Sequence, residues 1–174
     1  MAIIHPRLSQ PLTLPHGGYQ LELNLLEILR LGLPDTFDVF HGLTWSTVHA
    51  SVQKFGELDL TVVSPQGQIL ILEVKAGSVY TNNGLIYKDY SQQKPKDIGQ
   101  QLGRQHGALK KRLKQANMDH VQVQSFLVLP DHKLLSEGLP TRARDRLYSN
   151  GPVLHPGQNL LCRVGQRARQ AVAP

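Results

Sequence analysis

The segment from Gly56 to Gly77, GELDLTVVSPQGQILILEVKAG, constrains the fold of this 174-residue chain more than any other part of its sequence. Two runs rich in Leu, Ile and Val flank Pro65-Gln66-Gly67. These three residues fit a hairpin loop in which Pro opens a type I turn and Gly takes the left-handed position. We therefore predict two antiparallel strands, with Ser64 facing Gln68 across the loop.

That register decides which charged side chains lie together. Counting back from the loop places Asp59 opposite Glu73 and Glu57 opposite Lys75, all on one face of the strand pair. Side chains directly opposite one another have Cβ atoms about 5 Å apart. The sequence thus predicts that two carboxylates and an amine converge on this face.

The simplest interpretation of charges on a strand is the solvated face of a sheet. Here, however, apolar residues occur on both faces, which indicates a strand pair covered on both sides, where charges need partners. We expect one face to carry Leu58, Leu60, Val62, Ile69, Ile71 and Val74, and the other to carry Thr61, Val63, Leu70 and Leu72 with the charges.

A hard divalent cation is one such partner. Mg²⁺ is bound in proteins through one or two carboxylates and keeps several waters, so Asp59 and Glu73 are candidate ligands. Such an ion lowers the pKa of bound water and polarises a phosphoryl oxygen. Lys75 could hold the attacking hydroxide or offset the charge that develops on phosphorus.

The sequence Gly56-Glu57-Leu58-Asp59, followed by Glu73-Val74-Lys75, resembles the nuclease-related domain (NERD) branch of the PD-(D/E)XK nuclease superfamily. The resemblance covers about residues 19–129, although Leu58 stands where the name-giving proline would be. It implies an α/β, restriction-endonuclease-like core, with a mixed central sheet flanked by helices. It also implies that Asp59, Glu73 and the backbone carbonyl of Val74 bind Mg²⁺ or Mn²⁺, while Lys75 assists the nucleophile.

The segment from Gln20 to Leu31 has the apolar periodicity of a helix, with Leu25, Leu26 and Leu29 on one stripe. Glu22 falls on that stripe, whereas Glu27 lies on the opposite, solvated side. A carboxylate directed at the interior is costly without a partner, and the resemblance places the first-helix glutamate of the family at Glu22. Glu22 is therefore a candidate metal ligand, with an ordinary helix-end acid or a misplaced helix as the alternatives.

A second helix is predicted near residues 96–116, where Gln101 and Gln105 lie beside the apolar stripe and Gln100 points away. In the family an acid and a proline precede a glutamine, so the resemblance aligns Asp97 with the acid and Gln101 with the glutamine that orients the nucleophile. The same helix contains Gly99, Gly103 and Gly107 at four-residue spacing. We interpret these glycines as a close-packing seam against the sheet, and a frayed connector is the alternative.

The formal charge is +6, and the basic residues are clustered in and before the second helix. Such a surface is typical of proteins with polyanionic partners. We predict phosphate contacts for Arg104, Lys110, Lys111 and Lys114, with the alternative that these are cations near a helix C-terminus, where the dipole favours them. The residues Arg142, Arg144 and Arg146 form a smaller patch with the same two interpretations.

One cysteine, Cys162, excludes an intramolecular disulfide and a multi-cysteine zinc site, which favours a reducing compartment such as the cytoplasm. No apolar run approaches the roughly 20 residues of a membrane span, and the start does not resemble a secretory signal. We expect one nuclease domain over residues 1–155, with its core at about 19–130, and a tail or linker at 156–174 that is helical around 158–171. Another short helix is expected over Thr141–Tyr148.

Further strands are predicted near residues 37–43, 57–64, 68–76, 78–90 and 121–129, with the last added in parallel beside the strand of Glu73. The strand at 78–90 would complete a three-stranded meander with the hairpin, and Trp45–Lys54 would be a polar loop or ragged strand.

Taken together, geometry and resemblance predict a Mg²⁺- or Mn²⁺-dependent nuclease that hydrolyses phosphodiester bonds of DNA, in DNA processing or repair. The catalytic set would be Glu22, Asp59, Glu73, Lys75 and Gln101. The alternatives are a non-catalytic nucleic-acid-binding module of the same fold, or an accessory domain of a larger assembly with a helicase-type partner, since domains of this family occur fused to helicases or kinases.

Overall fold

The computed structural model describes residues 1–5, 17–49, 52–90, 93–130 and 147–149. These ranges contain two helices and two sheets. In chain order the elements are β1 (Ile3–His5), α1 (Gly17–Gly32), β2 (Asp38–His49), β3 (Val52–Val63), β4 (Ile69–Val74), β5 (Val79–Asn82), β6 (Leu85–Tyr90), β7 (Gln93–Asp97), α2 (Ile98–Gln115), β8 (Val123–Leu129) and β9 (Leu147–Ser149).

The larger sheet has six strands in the order β1-β2-β3-β4-β8-β9. It is mixed, because β2, β3 and β4 pair antiparallel while β1, β8 and β9 join their neighbours in parallel. The predicted parallel placement of β8 beside the strand of Glu73 is confirmed. This is the α/β architecture with a mixed central sheet and flanking helices that the sequence predicted.

The hairpin between β3 and β4 has the predicted loop. The Ser64 N–H donates to the Gln68 carbonyl at 2.9 Å, and the Gly67 N–H donates to the Ser64 carbonyl at 2.8 Å. Gly67 adopts φ +77°, the left-handed conformation that glycine tolerates without a steric cost. The two strands pair from Val63 opposite Ile69 to Leu60 opposite Leu72, which is the register that this loop imposes.

The prediction that the hairpin is covered on both faces is confirmed, but the residues were distributed between the faces incorrectly. Leu60 pairs with Leu72, and residues directly opposite in an antiparallel ladder share a face. Leu70 and Leu72 therefore belong with Leu60 in the core under α1, whereas Ile71 lies opposite Thr61 on the other face. That core contains Leu25, Leu26, Leu29, Leu60, Val62, Leu70, Leu72, Val74 and Phe126.

The opposite face of the sheet packs against α2. Ile98 and Leu102 on this helix are buried with Leu127 and Leu129 of β8. Val79 and Ile86 of the second sheet join the same cluster. The carboxyl end of β4 is thereby enclosed between α2 and the smaller sheet.

The predicted strand at 78–90 is wrong, as is its place in a meander with the hairpin. A turn at Asn83 and Gly84, both with positive φ, divides this segment into β5 and β6. These strands form a separate three-stranded sheet with β7. The strand β7, Gln93–Asp97, was missed because its sequence QKPKD lacks apolar alternation.

The segment Trp45–Lys54 was predicted as a polar loop or a ragged strand, and the strand alternative is confirmed for residues 45–49 and 52–54. Strand β2 continues to His49 and β3 starts at Val52, so the two strands form a long arm in which Trp45 pairs with Gly56. Leu147 and Tyr148 lie in β9 rather than in the predicted helix. The remainder of that helix, the arginine patch and residues 156–174 lie outside the described residues.

Within the described ranges, neither helix is long and apolar enough to cross a membrane.

Candidate active site

A cleft of about 460 Å³ lies where the β3–β4 ladder ends, between the sheet and α2. Its lining is contributed by the β2–β3 arm, the ends of β3 and β4, and one side of α2. The residues are Trp45, Gly56, Glu57, Asp59, Glu73, Lys75, Gln101, Arg104, Gln105 and Ala108. The four charged residues predicted to share one face of the hairpin all lie in this cleft.

The carboxylate of Glu73 is the most enclosed charge in the site, with 0% of the residue exposed. Its Oε1 accepts hydrogen bonds from the Lys75 ammonium and the Gln101 side-chain amide, and its Oε2 accepts one from Gln105 at 2.6 Å. Three donors compensate much of the cost of removing a carboxylate from water. A carboxylate offers about four lone-pair sites, so acceptor capacity remains for a further ligand.

Sequence reasoning did not single out Gln105, which the structure places at the centre of the site. Its Nε2 donates both to Glu73 and to the Glu57 carbonyl at 2.9 Å. Because both partners can only accept, the amide orientation is fixed. The signal in the sequence was the four-residue spacing from Gln101, which puts both glutamines on one helix face.

Asp59 sits just past the end of the ladder, where the two strands stop pairing. The Val74 N–H donates to its Oδ2 at 2.7 Å, and the Lys75 ammonium lies 4.0 Å from the same oxygen. Burial and the charge of Glu73 raise the pKa of Asp59 to about 7, against the lowering effects of Lys75 and the Val74 hydrogen bond. The protein thus holds two carboxylates that one ammonium does not fully neutralise.

Lys75 links the two acids. Burial acts to lower the pKa of its ammonium, but the charges of Glu73 and Asp59 outweigh burial, and the net pKa is raised above the usual value. Its ammonium also donates to the Val74 carbonyl at 3.3 Å. Lys75 is therefore held as a cation against the two carboxylates and the carbonyl predicted to bind metal.

Glu22 lies on α1, outside the lining of the cleft. Its Oε2 is 3.3 Å from the Nε2 of His41, a side chain that is 9% exposed. The charge of Glu22 contributes to the raised pKa of Asp59, so it lies near enough to act electrostatically. In the described ranges no three His, Cys, Asp or Glu side chains are grouped to hold a metal, so Glu22 is not placed as a third ligand.

Helix α2 presents its predicted glutamine to the site and begins as expected. Asp97 is the N-cap and accepts from the Gln100 N–H at 2.9 Å, which aligns the first turn so that Gln101 meets Glu73. The glycine seam, in contrast, is wrong. Gly99, Gly103 and Gly107 are all exposed, because repeated spacing shows that residues share a face but does not show which face is buried.

Of the predicted phosphate-binding residues, Arg104 lies at the cleft. Lys110, Lys111 and Lys114 are exposed farther along α2. Ala108 follows Arg104 by four residues and Lys111 follows Ala108 by three, so the three residues lie on one stripe of the helix. The same end of α2 meets the arm, since the Arg112 guanidinium donates to the Ser46 carbonyl at 2.8 Å.

A comparison with protein families decides the family. The sequence profile of the nuclease-related domain matches residues 17–130, which span α1 through β8 and include every residue of the cleft. This chain belongs to the nuclease-related domain family. Its family-specific region thus coincides with the part of the fold that builds the site, and the resemblance seen in the hairpin sequence is confirmed.

A comparison with solved structures finds the same chain course in protein VC1899 from Vibrio cholerae, with a TM-score of 0.56 and 18% sequence identity. The match covers 88% of this chain and 34% of VC1899, so this chain spans about a third of that protein's length. At this identity the likeness concerns the fold. No curated protein matches the chain.

The donor set of the cleft fits a hard divalent cation. Asp59 and Glu73 supply carboxylate oxygens from adjoining strands, and the Val74 carbonyl directly follows Glu73 in sequence. Such oxygen ligands suit Mg²⁺ and Mn²⁺, and among the residues that the structure describes, none that lines the cleft is a cysteine or histidine. A cation here would also counteract burial and the repulsion by Glu73, which together raise the pKa of Asp59.

Proposed function

We propose that this nuclease-related domain is a divalent-metal-dependent nuclease that hydrolyses phosphodiester bonds of DNA. One observation carries the proposal: the carboxylates of Asp59 and Glu73 share an open cleft with the Lys75 ammonium, which contacts Glu73 and lies 4.0 Å from Asp59. Two acids and one amine at the end of a buried hairpin are costly to maintain for stability alone. They are suited to phosphoryl chemistry.

Asp59, Glu73 and the Val74 carbonyl would hold Mg²⁺ or Mn²⁺. When bound, the ion would lower the pKa of a water molecule and offset charge on the phosphate. Lys75, kept protonated by the two acids, would stabilise the hydroxide nucleophile or the charge developing on phosphorus. Gln101 would position Glu73 and Lys75, because its amide and the Lys75 ammonium share the same carboxylate oxygen.

The exposed cations of α2 support a polyanionic substrate. Arg104 lines the cleft itself, and Lys110, Lys111 and Lys114 continue the positive charge along the helix. A nucleic acid lying along α2 would place a phosphate at the acidic site while its neighbours contact these side chains. DNA processing or repair is the setting that the proposal implies.

Cleavage assays test the proposal directly. Labelled linear, circular and single-stranded DNA, with RNA as a fourth substrate, would be incubated with Mg²⁺, Mn²⁺ or EDTA. We expect metal-dependent cleavage of DNA that falls by at least about 100-fold in Glu73→Gln and Lys75→Met, since removal of one electrostatic group at a reacting centre typically costs this much. Circular DNA shows whether a free end is needed.

The matched control is Glu27→Gln, which removes a carboxylate on the exposed side of α1 that pairs with Arg30 and is remote from the cleft. This variant should cleave like the parent. If the parent cleaves no substrate with either metal, yet binds DNA in a salt-dependent manner that survives Glu73→Gln, the chain is a non-catalytic binding module and the proposal is wrong.

A further inference from the structure

The cleft contains an aromatic side chain that the proposed chemistry does not use. Trp45 is the single tryptophan of the chain, and it lines the cleft together with Asp59 and Glu73 while remaining partly exposed. Metal binding and phosphate hydrolysis need oxygen ligands and cations. A large apolar ring in such a site calls for a different partner, and the bases of a nucleic acid are the apolar surfaces that accompany its phosphates.

The position of the indole is set by the glycine opposite. Trp45 pairs with Gly56 across the β2–β3 arm. A Cβ built on Gly56 would come within 2.9 Å of the indole Nε1 and closer still to Cε2 and Cζ2. The ring therefore lies across the backbone of β3, in space that any side chain at position 56 would occupy, and from there it reaches the cleft.

The arm that carries the ring is hydrogen-bonded to α2, which forms the other wall of the cleft. The Arg112 guanidinium of α2 donates to the carbonyl of Ser46, the residue after Trp45. Glu57, the residue after Gly56, accepts from Gln105 through its carbonyl. Two side chains of α2 thus hold the backbone of the arm beside Trp45 and beside Gly56, and such pre-organisation favours a rigid stacking platform.

We infer that Trp45 stacks on an unpaired nucleobase of the substrate, next to the phosphate held at Asp59 and Glu73. This inference rests on the proposed function. Gly56 and Asp59 are three positions apart on β3, a span of about 10 Å, so the stacked base belongs to a nucleotide close to the one being cut. Arg104, on the α2 side of the cleft, contacts a phosphate of the same strand. The cleft therefore selects single-stranded or locally unpaired nucleic acid without reading its sequence.

Because Trp45 is the only tryptophan in the sequence, its fluorescence reports on this site alone. The 174-residue protein would be titrated in EDTA, which prevents cleavage, with an oligothymidylate and with an abasic oligomer of equal length and charge. We expect quenching by the oligothymidylate only, and affinity for it roughly 5- to 100-fold above that for the abasic oligomer. Equal affinity for the two oligomers, or quenching by neither, would overturn the inference.

Variants separate stacking from a structural role of the ring. Fluorescence anisotropy of labelled oligomers should show that Trp45→Ala binds both oligomers with the affinity that the parent has for the abasic one, and that Trp45→Phe retains part of the difference. Gly56→Ala keeps the tryptophan but displaces it, and should also lose the difference. Arg104→Gln should weaken both oligomers alike. If Trp45→Ala instead weakens both oligomers equally, the ring acts as a support for the arm.

The same experiment distinguishes this inference from the proposed function. Glu73→Gln should retain base-dependent quenching while losing cleavage. Quenching by a parent protein that cleaves nothing would leave the stacking site standing and remove the nuclease proposal. Cleavage of ordinary and base-free strands at equal rates, without quenching, would leave the nuclease proposal standing and remove the stacking site.

Discussion

At the scale of single residues, the site depends on how the carboxylate of Glu73 is kept in a water-excluded position. Gln105 donates to its Oε2 and to the Glu57 carbonyl, and Gln105→Leu would remove both hydrogen bonds. We expect a loss of about 1–3 kcal/mol in the free energy of unfolding in EDTA, because buried acceptors would be left unpaired. Urea denaturation measures this loss. Gln100→Leu, an exposed neighbour on α2, is the control, and equal losses in both variants would contradict the argument.

The second prediction at this scale concerns pH. The pKa of Asp59 is raised to about 7 in the folded protein, so its folded state binds a proton more tightly than the unfolded chain does. The resulting stabilisation is full below the unfolded pKa near 4 and is lost as pH rises to about 7. The free energy of unfolding of Asp59→Asn in EDTA should therefore exceed that of the parent by an amount that grows between pH 4 and 7. Above pH 7 the difference should be on the order of 2–4 kcal/mol. Thermal unfolding across this range measures it; a pH-independent difference would contradict it.

At the scale of elements, local chemistry predicted the structure well wherever it fixed the backbone. The Pro65–Gly67 loop set a register that brought Asp59 and Glu73 together before any tertiary contact was known, because a one-residue slip would turn Asp59 to the other face. Gln101 was found in the same way, from helix periodicity and resemblance. The strand β7 was not predicted, and the segment carrying Trp45 was left open between a loop and a ragged strand, since both segments are polar and their pairing depends on their neighbours in the fold.

The close-packing seam predicted for the glycines of α2 was wrong, because their spacing does not show which face of the helix is buried. Their exposure leads to a prediction about this helix. A Cβ at Gly103 or Gly107 would meet no atom within 4 Å, and both residues are exposed in the helix interior. Gly103→Ala and Gly107→Ala should each stabilise the protein by about 0.5–1 kcal/mol, because alanine loses less backbone entropy on folding. Gly67→Ala should destabilise it by about 1 kcal/mol, since φ is +77° there. Chemical denaturation gives all three values. If the two α2 substitutions instead destabilise the protein, these glycines do form a close-packing seam and the prediction is wrong.

At the scale of the whole molecule, the charge distribution combines two opposite features. The chain carries a formal charge of +6, yet Asp59 and Glu73 lie in the same cleft as Arg104 of the basic helix α2. A polyanion is attracted by the surface and repelled by Asp59 and Glu73 until a cation neutralises them. The fold thus places the phosphate-attracting residues on α2 and the metal-binding candidates on the sheet, and the cleft is where the two meet.

This arrangement predicts how salt weakens nucleic-acid binding. Each phosphate that a cationic side chain neutralises adds about 0.9 to the slope of log affinity against log salt for duplex DNA, and about 0.7 for a single strand. Lys111 continues the stripe of Arg104 on α2 and is exposed, so Lys111→Gln should lower the slope for a single strand by about 0.7. Arg30→Gln makes the same change in net charge on α1, where Arg30 pairs with Glu27, and should leave the slope unchanged. Anisotropy titrations from about 50 to 200 mM salt, in EDTA, compare the two. Equal slopes in both variants would mean that net charge, rather than the α2 surface, attracts the nucleic acid.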